Sequence, residues 1–201
     1  MSNLSLGKAG EEFIKSHEGF SLRFYGDPKG YPTVGWGHLI TKTKVYTKNE
    51  TGDPADSLLT QAEADALSRD LKLSYTSPIT TKFAQTLFDD DTARFVSAVN
   101  NLKLPNNHEF SQNQFDALVS LAFNGGEGVL RTNDVETMLE SIHIYETFTG
   151  PLTPEQLDAC SKLVSNAFSY DRSLKDRRNA EATLFCKGQK YSHKYPVYSL
   201  K

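Results

Sequence analysis

Apolar residues recur at three- and four-residue steps over residues 4–18, where Leu6, Ala9, Phe13 and His17 share one side and Ile14 lies beside them. That spacing predicts an amphipathic helix. Ser5 is placed to cap its start and Gly19 to end it. Gly7 and Gly10 weaken the first half, since each costs about 1 kcal/mol against Ala inside a helix. Glu18 follows Ile14 by four residues and so falls on the inward side of the helix end. The period then changes to two. Phe20, Leu22 and Phe24, and later Val34 and Trp36, alternate as in short antiparallel strands. Between them Asp27-Pro28-Lys29-Gly30 carries the residues of a type I turn. Pro32 suits a strand start, and Gly35 and Gly37 bracket Trp36 where backbone or substrate approaches closely.

Beyond residue 40 the pattern is helical. Residues 41–59 are polar and turn-rich and read as a surface loop. Thr60 followed by Glu63 forms a capping box, opening a helix to about Tyr75. Pro78 interrupts, and residues 79–102 hold one or two helices through Phe83, Leu87, Phe88, Ala93, Val96, Val99 and Leu102. Ser111 begins a central helix with Phe115, Leu118, Val119 and Ala122 as its stripe, closed by Gly125-Gly126. Residues 131–144, 153–169 and 173–186 are further helices; Thr153-Pro154-Glu155 supplies a cap, a first-turn proline and an early acid. The tail beyond residue 189 is rich in Tyr and Lys, and packing on its own part of the fold is expected ahead of stacking on sugars.

Composition narrows the function. The chain has 201 residues, 38% hydrophobic and 23% charged, with net charge −3 from 22 basic and 25 acidic side chains. Without a basic patch, nucleic acid is not an expected partner. No apolar run is long enough for a membrane span, and the first residues lack the apolar core of a secretory signal. Cys160 and Cys186 match no metal spacing and read as buried free thiols. Asp89-Asp90-Asp91 lacks the alternation of a calcium loop, and its side chains diverge around a helix, so it reads as a solvated helix start.

The candidate chemistry lies between Glu18 and His38. A carboxylate beside an apolar face is partly stripped of water, which favours the protonated form a general acid must keep. Asp27 has two readings that its position leaves open: a turn residue bonding its own backbone, or the second carboxylate of a hydrolytic pair. Thr33 alone reads as a strand residue. Two carboxylates and a hydroxyl on a helix end and a tight hairpin point to hydrolysis of a glycosidic bond.

Asp27, Thr33 and His38 follow Glu18 by 9, 15 and 20 residues. With E-G at the helix end, Y-x-D-x-x-G, and P-T-x-G-x-G-H, this block resembles the T4-type phage lysozymes, glycoside hydrolase family 24. The stretch Gln114 to Gly126 is similar to the family's central helix, and Arg177 to Phe185 to its terminal R-R-x-x-E helix. The resemblance implies an α+β, mostly α, lysozyme-like two-lobed fold. Residues 1–201 would form a single catalytic domain, with a small β-hairpin lobe over about 18–60 and a larger helical lobe over about 75–201 that includes the N-terminal helix. A cleft between the lobes would take the polysaccharide.

It further implies a muramidase that cleaves the β-1,4 bond between N-acetylmuramic acid and N-acetylglucosamine and so lyses bacterial cells. Glu18 is the expected acid, and Asp27 and Thr33 hold the attacking water. Leu39, Phe123 and Asn124 contact the glycan, although Phe123 also reads as a core residue. His38 pairs with Asp70, and Arg178 pairs with the catalytic glutamate. Inversion requires carboxyls about 6.5–9.5 Å apart. No metal or organic cofactor is needed. The partner is bacterial peptidoglycan, and the chain is expected to be a monomer. It would be made in the cytoplasm without a signal peptide and act in the periplasm or cell wall. A phage endolysin is one setting; a delivered antibacterial toxin domain, with an immunity protein as inhibitor, is another. A lytic transglycosylase or a non-catalytic wall-binding module are the rival readings.

Overall fold

Helix α1, Lys8–Ser16, starts later than its periodicity predicts. The reason lies far along the chain. The Gly7 N–H donates to Asp116 Oδ1 at 2.9 Å, and a Cβ at Gly10 would lie 2.4 Å from Asp116 Cγ. The two glycines that weaken the helix locally are what let its backbone reach a buried carboxylate. Gly7, not Ser5, supplies the first helical acceptor, taking the Glu11 N–H at 2.9 Å. At the other end Glu18 N–H reaches back to the Lys15 carbonyl at 3.3 Å, so Glu18 sits in the closing turn.

The structure is a computed structural model that describes residues 3–44, 52–105, 108–169 and 171–192. After α1 come strands β1 (Ser21–Gly26), β2 (Pro32–Gly35) and β3 (His38–Leu39), then helices α2 (Gln61–Asp70), α3 (Thr81–Asn100), α4 (Gln112–Gly125), α5 (Asn133–Thr147), α6 (Pro154–Ala167) and α7 (Lys175–Cys186). The chain divides into two compact units, residues 14–93 and residues 1–13 with 94–201. The divisions fall inside α1 and inside α3, so the smaller unit takes in α2 and is larger than the expected hairpin lobe.

The smaller unit is a three-stranded antiparallel sheet in the order β1-β2-β3, backed by α2 and the first half of α3. Phe24, Val34, Leu59, Ala64, Leu67, Ile79, Ala84 and Leu87 form its core. The second half of the expected surface loop joins this packing. Tyr25 bridges Leu58, Ser57 Oγ donates to the Gly26 carbonyl at 2.7 Å, and Leu59 is buried. Residues 45–51 of that loop lie outside the described residues. The Thr60 capping box forms, but α2 ends at Asp70 rather than near Tyr75, because Lys72 takes a positive φ of 51° and turns the chain. One helix covers the 79–102 region. The three aspartates lie in its middle, not at a start, and Asp91 is half-buried.

The larger unit is helical. Every residue of α4 from Gln114 to Ala122 is buried, so the predicted stripe is in fact a helix enclosed on all sides. It packs against α7, and α5 packs against α6. Ser111 and Thr153 both cap with reciprocal bonds, to Gln114 and Gln156. Cys160 and Cys186 are buried free thiols. Tyr191 is fully buried and donates to Glu146 Oε1 at 2.5 Å; the tail from 193 on lies outside the described residues.

Candidate active site

The sheet assembles the first row of residues. In its register Tyr25 stands opposite Thr33, and Thr33 opposite Leu39. Directly opposed residues on antiparallel strands point to the same face. Tyr25, Thr33 and Leu39 therefore form one row across three strands. Thr33 is buried, and its Oγ1–H donates to the Tyr31 carbonyl at 3.1 Å. Leu39 is exposed at the edge of the row.

Asp27 ends β1 in the turn. Its Oδ1 accepts from the Lys29 N–H at 2.8 Å and the Tyr31 N–H at 2.7 Å, while its backbone pairs with Tyr31 and Gly30. The turn reading of Asp27 is thus correct, and the same bonds orient its carboxylate. Burial pushes the Tyr25 phenol well above its ordinary value, and the Glu18 and Asp27 carboxylates add to the rise. Tyr25 thus feels both charges, which ties the helix end and the turn to one place. Glu18 is half-buried, and a Cβ at Gly37 would lie 3.6 Å from its Oε2. Gly37 has φ +81°, so glycine serves both the turn between β2 and β3 and the approach to the carboxylate.

His38 does not pair with Asp70. Its Nδ1 lies 2.9 Å from Asp91 Oδ2, a bond that ties β3 to α3. Asp70 is instead a surface residue, its side chain 73% exposed and 3.8 Å from Arg69 Nε. Asp91 stands three residues after buried Phe88 and four before buried Phe95, on the inward side of α3. An acid in that phase is the signal that would have found it.

Phe123, Asn124 and Arg178 belong to the larger unit. Phe123 is half-buried, with its ring edge-on to Phe95 at 5.6 Å. Asn124 is exposed and its Oδ1 accepts from Arg178. Arg178, only 1% exposed, also places Nη1 2.7 Å from Glu181 Oε2. Glu181 Oε1 takes the Ser120 hydroxyl at 2.7 Å and Arg177 Nε at 3.2 Å. Burial pushes the Glu181 carboxyl up, against the opposing pull of Arg178, Ser120 and Arg177. This buried cluster fixes Arg178, and Arg178 fixes Asn124. Among the described residues no group of three or more His, Cys, Asp or Glu is arranged to hold a metal ion.

A small antiparallel sheet carrying a hydroxyl and a carboxylate, beside a helix ending in a second carboxylate, together with a helical unit, defines the lysozyme-like class. Solved structures share this fold. The muramidase domain of SpmX from Asticaccaulis excentricus aligns with TM-score 0.53 at 23% identity, over 90% of this chain and 97% of that one. The endolysin from Escherichia coli O157:H7 phage FAHEc1 aligns with TM-score 0.55 at 23% identity, over 92% and 96%. Residues 15–181 match the phage lysozyme family model, and the chain belongs to that family. It is also 31% identical over 138 residues to the endolysin of Bacillus phage PZA. That match takes in 66% of this chain, but the chain spans only 39% of the endolysin's length.

Proposed function

We propose that the chain is a peptidoglycan hydrolase, a muramidase cleaving the β-1,4 bond from N-acetylmuramic acid to N-acetylglucosamine. The observation that carries this is the pairing of Tyr25 with Thr33 across the sheet, with Tyr25 perturbed by both Glu18 and Asp27. Membership of the phage lysozyme family and likeness to an endolysin support it.

In this reading Glu18 protonates the leaving oxygen. The Thr33 hydroxyl donates its hydrogen bond to the Tyr31 carbonyl, so its oxygen meets the attacking water as an acceptor. Asp27, oriented by two backbone amides, takes the water's proton. Tyr25 stays protonated and is a donor beside both carboxylates. Water attacking the face opposite the leaving group inverts the anomeric centre. Leu39, Phe123 and Asn124 are proposed glycan contacts. Arg178 positions Asn124, and the His38–Asp91 bond holds the strand that carries Leu39.

The setting we favour is phage lysis, with the enzyme acting on the wall after release from the cytoplasm. The test is loss of turbidity in permeabilised Gram-negative cells. Glu18→Gln is expected to lower lysis by about 10²–10⁴-fold, the range that general acid catalysis contributes, with an unchanged circular dichroism spectrum. Retained lysis removes Glu18 from the mechanism.

A further inference from the structure

Trp36 is held on the turn between β2 and β3 by three neighbours. The Lys15 ammonium lies 4.0 Å from its ring centroid, with a hydrogen bond to Gln85 holding the lysine in place. Phe88 meets it edge-on at 6.0 Å. Phe20 stacks on it at 4.3 Å with the planes only 31° apart. A cation–π contact and two ring contacts on separate sides make the indole a stiff support. Trp36 also packs against the core of its unit. Phe20 is different: it remains 41% exposed.

The proposed acid lies close to the turn that carries this ring's support. Phe20 follows Glu18 by two residues, and Trp36 precedes Gly37, whose missing Cβ would lie 3.6 Å from Glu18 Oε2. A flat apolar face, rigidly backed and set next to a proton donor, suits a ligand that has an apolar face and a polar rim. A pyranose ring has that form. Its ring C–H groups meet the electron-rich aromatic face while its hydroxyls stay in water, and an N-acetyl methyl adds apolar area.

We propose that Phe20, clamped from behind by Trp36, is a sugar-stacking platform. It holds an N-acetylhexosamine ring of the glycan beside the bond that Glu18 protonates. This rests on the muramidase reading and adds a substrate-binding residue to it. Such a contact is made equally before and during bond cleavage, so it acts on KM and leaves kcat alone.

Trp36 is the single tryptophan of the chain and reports on its neighbour. Binding is read as the change in its fluorescence when a tetramer of N-acetylglucosamine is titrated into the Glu18→Gln variant. Phe20→Ala in that background is expected to weaken binding about tenfold, a free-energy change within reach of one lost stacking contact. In the active chain it is expected to raise KM by the same factor with kcat within about twofold. Phe20→Tyr keeps the ring and should behave as the parent. Phe20→Leu keeps bulk without the ring, guards against a folding defect in the alanine variant, and should lose affinity as well.

Parent-like binding and KM in both Phe20→Ala and Phe20→Leu overturn the platform while lysis by the parent leaves the muramidase reading standing. A fall in kcat at unchanged KM also overturns it, because Phe20 would then act on Glu18 and not on the sugar. A parent that neither lyses cells nor binds the tetramer overturns both.

Discussion

His38 gains a partner 53 residues away in Asp91, and that bond decides what its neighbours are worth. A hydrogen bond to a charged group contributes about 1.5–3 kcal/mol, and the pair is half-buried. Asp91→Ala should therefore cost about 1–2 kcal/mol in urea unfolding, whereas Asp70→Ala, on the surface, should stay within about 0.5 kcal/mol. His38→Ala combined with Asp91→Ala should cost less than the sum of the two. Equal effects at Asp70 and Asp91 would contradict the assignment. The positions legible from local spacing were Glu18 at a helix end and Asp27 in its turn; Thr33 stood out only through the family resemblance. Tyr25 was missed although it stands only two residues before Asp27. Its importance depends on the register that sets it opposite Thr33, and register is a property of two strands. Asp91 was missed because a helix phase marks a buried acid but does not name its partner.

At the scale of elements, capping chemistry placed the helix starts at Thr60, Ser111 and Thr153 correctly. These signals are local and need no knowledge of the fold. The start of α1 was not legible because the acceptor for the Gly7 N–H is 109 residues distant. The α4–α7 contact was illegible for the same reason. It is built on Glu181, 0% exposed, between Ser120 of α4 and two arginines of α7. Removing the central carboxylate of a buried ion cluster strips its arginines of that partner, at a cost of about 3–5 kcal/mol. Glu181→Ala is expected to lose stability on that scale in urea unfolding, and Ser120→Ala about 1 kcal/mol. A loss under about 1 kcal/mol for Glu181→Ala would show that the cluster does not hold the two helices.

At the scale of the whole molecule, a thiol and two phenols buried among the described residues share one direction. Burial raises Cys160 from 9.0 to about 12, and pushes Tyr25 and Tyr191 above their usual 10.0. Each is neutral when protonated, and each ionises first in the unfolded chain. Their contribution to stability is complete below about pH 9 and is lost as pH rises toward their folded-state values. The melting temperature should thus fall steeply above about pH 9, and Cys160→Ala should remove the earliest part of that fall. A flat melting temperature to pH 11 would contradict the burial of these groups. The central claim, water-dependent cleavage driven by Glu18, is tested most directly by the products. Peptidoglycan digested in ¹⁸O-labelled water should yield reducing muramic acid ends carrying one ¹⁸O by mass spectrometry, and Glu18→Gln should yield none. Unlabelled 1,6-anhydromuramic ends, or labelled ends at full yield from Glu18→Gln, would contradict it.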